Sequence, residues 1–128
     1  MTRTRGERIG HPHRLTSSLD FARLKSEGMA FRGEHCLLVA RTCPGEPTKV
    51  GFVASKRSVG QAVQRNRARR RLREIVRRRW SRVPSTGYLL MFVAFRSTLT
   101  ASHQDLASDV ERALSAAGAL APLDPVRA

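Results

Sequence analysis

The stretch from Ser55 to Arg82 constrains the fold most, because it combines dense positive charge with a helical pattern. Its 28 residues contain twelve Lys or Arg and one acid, Glu74, so it holds +11 of the chain's formal charge of +14. The apolar residues recur at helical spacing and form one stripe: Ala68, Leu72, Ile75, Val76 and Trp80. The pattern predicts an amphipathic helix with its stripe toward a core and guanidinium groups on its outer side.

Charge of one sign at this density repels itself, so the outer side of this helix needs either solvent or a polyanion. Arginine far outnumbers lysine here, and its planar guanidinium group can bind phosphate through two parallel hydrogen bonds and stack on bases. Two arginines, Arg65 and Arg69, fall on the flank of the apolar stripe. A helix with only a structural role would keep its charged residues away from that stripe. These features favour an RNA- or DNA-binding surface over a solvated helix.

Length and composition bound the rest of the protein. With 128 residues, 41% of them hydrophobic, the chain has room for one domain with a core of moderate size. It has no apolar run long enough to cross a bilayer, and its basic N-terminus lacks the apolar core of a signal peptide. We therefore expect a cytoplasmic protein, with a basic disordered tail at residues 1–12, one domain at 13–118 and a disordered tail at 119–128.

Catalytic and metal-binding patterns are not visible in the sequence. Cys36 lies in an apolar run and is expected to be a buried small hydrophobe, whereas Cys43 is expected in a turn. Their spacing does not match a metal site, and no disulfide is expected in a reducing compartment. The chain shows no nucleophile–base pair, no usefully spaced carboxylates and no Gly-rich phosphate loop. The residues therefore predict a binding protein without catalytic side chains of its own.

The local patterns predict an α+β fold in the order α-β-β-β-α-β-α, with a small mixed sheet of about four strands packed against helices. Ser17 or Ser18 can cap a first helix that ends at Gly28. The strands are predicted at Met29–Arg32, His35–Arg41, Lys49–Ser55 and Tyr88–Phe95, the last of them central and buried. The turn at residues 43–48 favours an antiparallel hairpin between the second and third strands.

The two remaining helices follow the strands in the chain. The basic helix is expected to begin between Val59 and Ala62, after a bend at Gly60, and it lies in a β–helix–β crossover whose default hand is right-handed. Ser102 can cap a final helix that runs to about Gly118. The outer face of that helix is expected to carry Asp105, Asp109 and Glu111.

At this point the residues match a known family. The segment SKRSVGQAVQRNRARRRLRE resembles the signature of the bacterial ribonuclease P protein subunit, in which a K-[KR] pair leads through a small-residue bend into an R-N-R triplet and a basic helix. Lys56-Arg57 is similar to the pair, and Arg65-Asn66-Arg67 is similar to the triplet. Upstream, Arg14-Leu15, Asp20-Phe21 and Gly28 resemble the family's opening helix, and the resemblance covers about residues 13–118.

This resemblance implies a function that composition does not show. Proteins of this family are the small subunit of a ribonucleoprotein endonuclease that removes the 5′ leader from precursor tRNA. The resemblance implies that the catalytic RNA and the precursor tRNA are the partners, with no DNA and no membrane. It also implies that the catalytic groups and Mg²⁺ belong to the RNA subunit, with no cofactor held by protein side chains. In the family the β–helix–β crossover is left-handed, contrary to the default hand.

The family's two binding surfaces can be transferred position by position. The resemblance implies an RNA-subunit face made of Lys56, Arg57, Arg65, Asn66, Arg67, Arg69, Arg70 and Arg73. It implies a cleft for the single-stranded leader made of Arg14, Phe21, Lys25, Val39 and Phe52. Many relatives carry aromatic residues where this chain has Lys25 and near Val39, so we expect this cleft to depend less on stacking and more on charge. Phe21 belongs either to this cleft or to the core.

Three other functions compete with this interpretation. A structural RNA-binding protein of the ribosome would have the same charge but no effect on cleavage. A DNA-binding module is disfavoured because no helix-turn-helix spacing precedes the basic helix. A membrane-surface helix is disfavoured because the apolar stripe is small and is needed by the core.

Overall fold

The computed structural model of the chain describes residues 9–121, which form a four-stranded mixed sheet packed against helices. The helices and strands, in chain order, are α1 (Ser18–Glu27), β1 (Met29–Arg32), β2 (Cys36–Pro47), β3 (Lys49–Val53), α2 (Ala62–Arg78), β4 (Thr86–Ala94) and α3 (His103–Ala116). Short 3₁₀ turns lie at His11–His13, Trp80–Arg82 and Arg96–Leu99. The predicted α+β class and the order of its elements are confirmed.

The strand order in the sheet is β1-β2-β4-β3. Strand β4 lies between β2 and β3, antiparallel to β2 and parallel to β3. The predicted antiparallel hairpin of the second and third strands is therefore wrong. β4 is apolar along most of its length, and a strand of this kind is buried most completely when it has a neighbour on each side. It therefore lies between β2 and β3 and separates them. The central position predicted for β4 is confirmed, and the hand of the β3–α2–β4 crossover stays a prediction.

The predicted turn at residues 43–48 is also wrong in extent, because β2 continues through most of it to Pro47. Its pairing with β4 shifts register between Cys43 and Pro47. Gly45 in this irregular part has a φ of +84°, a conformation that suits glycine. The local turn composition therefore marks a bulge within a long strand and not a reversal of the chain.

The two faces of the sheet bury separate apolar clusters. One face packs against α2 and α3, and its larger cluster includes Leu38, Phe92, Leu72 and Val110. The other face packs against α1 and the segment before it, with a smaller cluster formed by Leu15, Leu24, Cys43, Leu89 and Met91. The helix that carries the charge is thus held by the larger core.

Helix α2 begins as the sequence predicts. Gly60 makes the bend with a φ of +130°, and a side chain at this position would also collide with Gln64 Oε1. Gln61 and Gln64 then cap the first turn reciprocally, because each side chain accepts a backbone N–H of the other residue. The five stripe residues are all buried, although Trp80 lies in the 3₁₀ turn after the helix has ended.

Asp109 is buried, so its predicted place on the outer face of the last helix is wrong. Its carboxylate accepts the backbone N–H groups of Glu34 at 2.8 Å, His35 at 2.9 Å and Cys36 at 3.2 Å. A side chain at Gly33 would meet this carboxylate within 2.6 Å. Burial and the neighbouring Asp109 raise the pKa of the Cys36 thiol, which donates to Asp109 Oδ2. A charged residue on α3 therefore caps the loop between β1 and β2.

The boundaries expected for the two tails change in part. Ile9 is buried in the larger cluster, as are Ala119 and Leu120 at the other end of the domain. Residues 1–8 and 122–128 of the expected tails lie outside the described residues. Cys36 and Cys43 are both buried with free thiols. No helix within residues 9–121 is both long and apolar enough to span a membrane.

Candidate nucleic-acid interface

Internal contacts occupy several arginines of α2 and the turn that follows it. Arg71 donates to the backbone oxygens of Thr98 at 2.6 Å and Ala101 at 2.8 Å. Arg79 donates to Glu111 Oε2 at 2.6 Å. Arg77 and Arg78 pair with Glu74 one turn earlier. Arg71 and Arg79 therefore hold the helix to its surroundings, whereas the pairs of Arg77 and Arg78 lie within α2 itself. The sequence reasoning did not separate these roles from RNA binding.

The predicted RNA-subunit residues have a different set of contacts. Within residues 9–121, none of the eight forms an ion pair with a carboxylate. Five of them, Lys56, Arg57, Arg67, Arg70 and Arg73, are exposed, and no hydrogen bond to another described residue occupies them, although Arg73 lies over the ring of Phe52. Their positive charges are therefore available to an external anion.

The two arginines on the flank of the stripe are partly buried, as their positions suggest. Arg65 Nη1 lies 3.3 Å from the carbonyl oxygen of Gly60, so this guanidinium also holds the bend before α2. Arg69 donates to Asn66 Oδ1. Because successive helical residues are about 100° apart, Asn66 and Arg67 point toward different flanks of α2.

A pocket of about 480 Å³ lies beside the edge strand β3. Its lining brings together three of the predicted leader-cleft residues, Arg14, Phe21 and Phe52. Arg73, which was assigned to the RNA-subunit face, lies in the same lining, with its guanidinium carbon 5.5 Å from the centre of the Phe52 ring. Among residues 9–121 the lining contains no acid: Ile9, Arg14, Leu15, Thr16, Phe21, Val50, Gly51, Phe52, Arg73 and Arg77. We call it the β3-edge pocket.

The five predicted cleft residues do not share one face of the sheet. Phe52 packs on the larger cluster and stacks on Phe92 at 5.8 Å between ring centres, whereas Val39 packs on the smaller cluster across the sheet. Phe21 both packs on the smaller cluster and lines the β3-edge pocket, so it belongs to core and pocket together. Lys25 is exposed on α1, outside the lining of this pocket.

A second groove, of about 620 Å³, lies between α2 and the 3₁₀ turn that follows β4. Its lining includes Arg67 from the predicted RNA-subunit face and Arg96, which the sequence reasoning missed. Arg96 Nη1 donates to the carbonyl oxygen of Val59 at 3.1 Å, so this side chain reaches across to the segment before α2. The sequence feature that could have indicated Arg96 is its position as a basic residue directly after the predicted central strand, Tyr88–Phe95.

The described residues suit the binding of a nucleic acid better than the binding of a metal ion. Among residues 9–121, no group of three or more His, Cys, Asp or Glu side chains is arranged to hold a metal ion. The arrangement of guanidinium groups beside phenylalanine rings suits the binding of phosphates and bases.

Known proteins resemble this chain in sequence over most of its length. A sequence model of the family described as Ribonuclease P matches residues 9–118. The ribonuclease P protein component of Symbiobacterium thermophilum is 38% identical over 109 residues, which cover 84% of this chain and 93% of that protein. The ribonuclease P protein component of Beutenbergia cavernae is 38% identical over 116 residues, covering 90% of this chain and 96% of that protein.

Solved structures resemble the chain in fold. The RNase P protein of Staphylococcus aureus superposes with a TM-score of 0.72 at 19% identity, covering 84% of this chain and 97% of that one. The RNase P protein of Thermotoga maritima superposes with a TM-score of 0.70 at 21% identity, covering 80% and 96% of the two chains. At these identities the likeness concerns the fold.

Proposed function

The chain belongs to the ribonuclease P protein family, and from this premise we propose that it is the subunit that binds the catalytic RNA of ribonuclease P and the 5′ leader of precursor tRNA. The observation that carries the proposal is the set of exposed cations on and before α2 that have no carboxylate partner among the described residues. A domain that satisfied these charges internally would have no need of a polyanion.

The β3-edge pocket has the chemistry expected for a single-stranded leader. The partly exposed rings of Phe21 and Phe52 lie in its lining, and a base stacked on such a ring contributes roughly 1–3 kcal/mol. Arg14 and Arg73 stand beside the rings and can neutralise the phosphates between those bases. We therefore assign Arg73 to leader binding, in place of the RNA-subunit role that the resemblance implied.

Catalysis itself is assigned to the RNA subunit and its Mg²⁺ ions. In this proposal the protein supplies fixed cations near the phosphates of both RNAs. These cations lower the repulsion between catalytic RNA and substrate, a task that extra magnesium would otherwise perform. The protein should therefore matter most when magnesium is scarce.

The proposal is tested by cleavage of precursor tRNA by a bacterial ribonuclease P RNA at low Mg²⁺. We expect the protein to raise the cleavage rate at least tenfold there and to have a smaller effect at high Mg²⁺. Protein alone, without the RNA, is the control and should not cleave. Absence of stimulation, together with co-sedimentation of the protein with ribosomes, would favour the structural ribosomal role instead.

Substituting Phe21→Ala is expected to weaken binding of precursor tRNA to the holoenzyme about 5- to 150-fold, the range of one lost base stack. Binding of mature tRNA, which has no leader, should change less than about twofold. The measurement is the ratio of the two dissociation constants.

A matched control is Phe31→Ala, which removes a partly buried ring outside the β3-edge pocket. This variant should leave the ratio unchanged, because its effect is on packing alone. If Phe21→Ala lowers both affinities equally, Phe21 acts only through the core.

A further inference from the structure

The groove between α2 and the turn after β4 has no part in the leader-binding role. In the part of the chain that the structure describes, its lining has two cations and no acid: Val63, Gln64, Arg67, Arg96, Ser97, Leu99 and Thr100. Val63 is 79% exposed, an unusual position for a β-branched apolar residue in the first turn of a helix. The groove therefore brings apolar surface and two guanidinium groups together in one lining.

The wall of this groove opposite α2 is fixed in place. Arg71 holds the turn after β4 to α2 through the carbonyl oxygens of Thr98 and Ala101. From the other side, His35 Nδ1 lies 2.8 Å from Ser97 Oγ, and Thr98 Oγ1 donates to the carbonyl oxygen of His35 at 2.6 Å. A wall that is already ordered costs little conformational entropy when a ligand binds.

The two cations keep donors available for a ligand. Arg96 uses Nη1 for the carbonyl oxygen of Val59, and a guanidinium group has five N–H donors in all. Arg67 is exposed, and no described residue forms a hydrogen bond with it. Two guanidinium groups beside an apolar surface match a nucleotide, which carries a phosphate next to a base with an apolar face.

We infer that this groove binds one unpaired nucleotide of the catalytic RNA, with its base against Val63 and Leu99 and its phosphates on Arg67 and Arg96. The inference rests on the proposed function, because it assigns the occupant to the RNA subunit. The nucleotide must be unpaired, since a base inside a helical stem is stacked and cannot enter a groove. None of the described lining residues is acidic, which disfavours a basic peptide as the occupant.

The first test is Val63→Asp, which places a negative charge in the groove at little cost to the fold. Position 63 lies in the first turn of α2, where an acid interacts favourably with the helix dipole. We expect the affinity for a bacterial ribonuclease P RNA to fall about tenfold or more, with an unchanged or slightly higher melting temperature.

The matched control is Ser81→Asp, an exposed position in the 3₁₀ turn after α2 that lies outside the groove. It changes the net charge of the protein by the same amount, and we expect less than a threefold loss of affinity. Equal losses in the two variants would mean that only net charge matters, and the inference would be overturned.

The second test identifies the occupant by cross-linking from Val63→Cys. Because both native cysteines are buried, a thiol-reactive photo-cross-linker should label position 63 selectively. We expect cross-links to unpaired nucleotides of the RNA subunit in the holoenzyme. Cross-links confined to paired nucleotides, to the leader or to protein would overturn the inference, as would their complete absence.

Failure of this inference can be told apart from failure of the proposed function. If the unmodified protein stimulates cleavage at low Mg²⁺ but Val63→Asp binds the RNA as well as Ser81→Asp does, only the groove assignment fails. If the unmodified protein neither binds the RNA nor stimulates cleavage, the proposed function fails first.

Discussion

Replacing Arg57, Arg67 and Arg70 together by alanine is expected to weaken binding of the protein to the catalytic RNA about 100-fold at fixed salt. The three side chains are exposed, and no carboxylate among the described residues pairs with them, so the fold should lose little stability. A 100-fold loss corresponds to about 2.8 kcal/mol, or about 0.9 kcal/mol for each side chain, which lies within the range of solvent-exposed charge contacts.

The salt dependence of binding provides the sharper measurement. Each phosphate contact releases bound counterions, so the logarithm of affinity falls with the logarithm of salt concentration by roughly 0.7–0.9 per contact. The triple variant should therefore have a slope smaller in magnitude by about 2–3. Circular dichroism and thermal melting would show that the fold is retained.

The control removes three other exposed arginines, each of which already has a partner within the domain: Arg32, Arg78 and Arg112. This variant loses the same formal charge, and its salt slope should change by less than about one. If the two triple variants behave alike, the face formed by Arg57, Arg67 and Arg70 has no special role, and binding depends on total charge.

Asp109→Ala is expected to lower the free energy of unfolding by about 3–5 kcal/mol at neutral pH, enough to reduce the melting temperature by more than about 10 °C. The substitution removes the acceptor of three backbone N–H groups in the loop before and at the start of β2. The N–H of Cys36 would then be buried without its acceptor, and the partly buried N–H groups of Glu34 and His35 would lose theirs. The matched control is Asp105→Ala, an exposed acid on the same helix, which should cost less than about 1 kcal/mol.

The pH dependence of that difference follows from the titration of Asp109. Burial acts to raise the pKa of this carboxyl, but the N–H groups of Glu34 and His35, with Cys36 and Arg112, together hold it below its ordinary value of 3.8. A lowered pKa in the folded state means that the stabilisation is fully present above that ordinary value and is lost as pH falls through the lower folded value. Urea unfolding at several pH values would measure it. A difference between wild type and Asp109→Ala that stays constant below pH 4 would contradict this role.

Much of the candidate site could be predicted from the sequence, because its charge and its helix are local properties. The stripe of α2 is read from residues three and four positions apart, and the bend at Gly60 from one residue. The division of labour among the arginines could not be predicted in this way. Arg71 and Arg67 are the same residue type on one helix, and only Thr98 and Ala101, distant in the chain, distinguish the first from the second.

The set of residues that line the β3-edge pocket could not be predicted from the sequence either, because it depends on which strands pair. The family resemblance implies that Phe52 and Val39 share one cleft, and the predicted hairpin would have made their strands neighbours. In the fold, β4 separates those strands, Phe52 faces the α2 side of the sheet, and its ring meets Arg73. The alternation of residues along a strand shows which of them share a face. Which strand lies next to it depends on contacts with segments distant in the chain.

The sequence by itself determined the sequence of helices and strands, the burial of β4 and the surplus of cations, because periodicity and charge act between residues close in the chain. The tertiary structure alone decided which strands are neighbours, that Asp109 is a buried cap, and which arginines remain open to RNA. The physical reason is that a buried carboxylate or guanidinium group is stabilised only by partners brought to it from distant segments, and those partners exist only in the folded state.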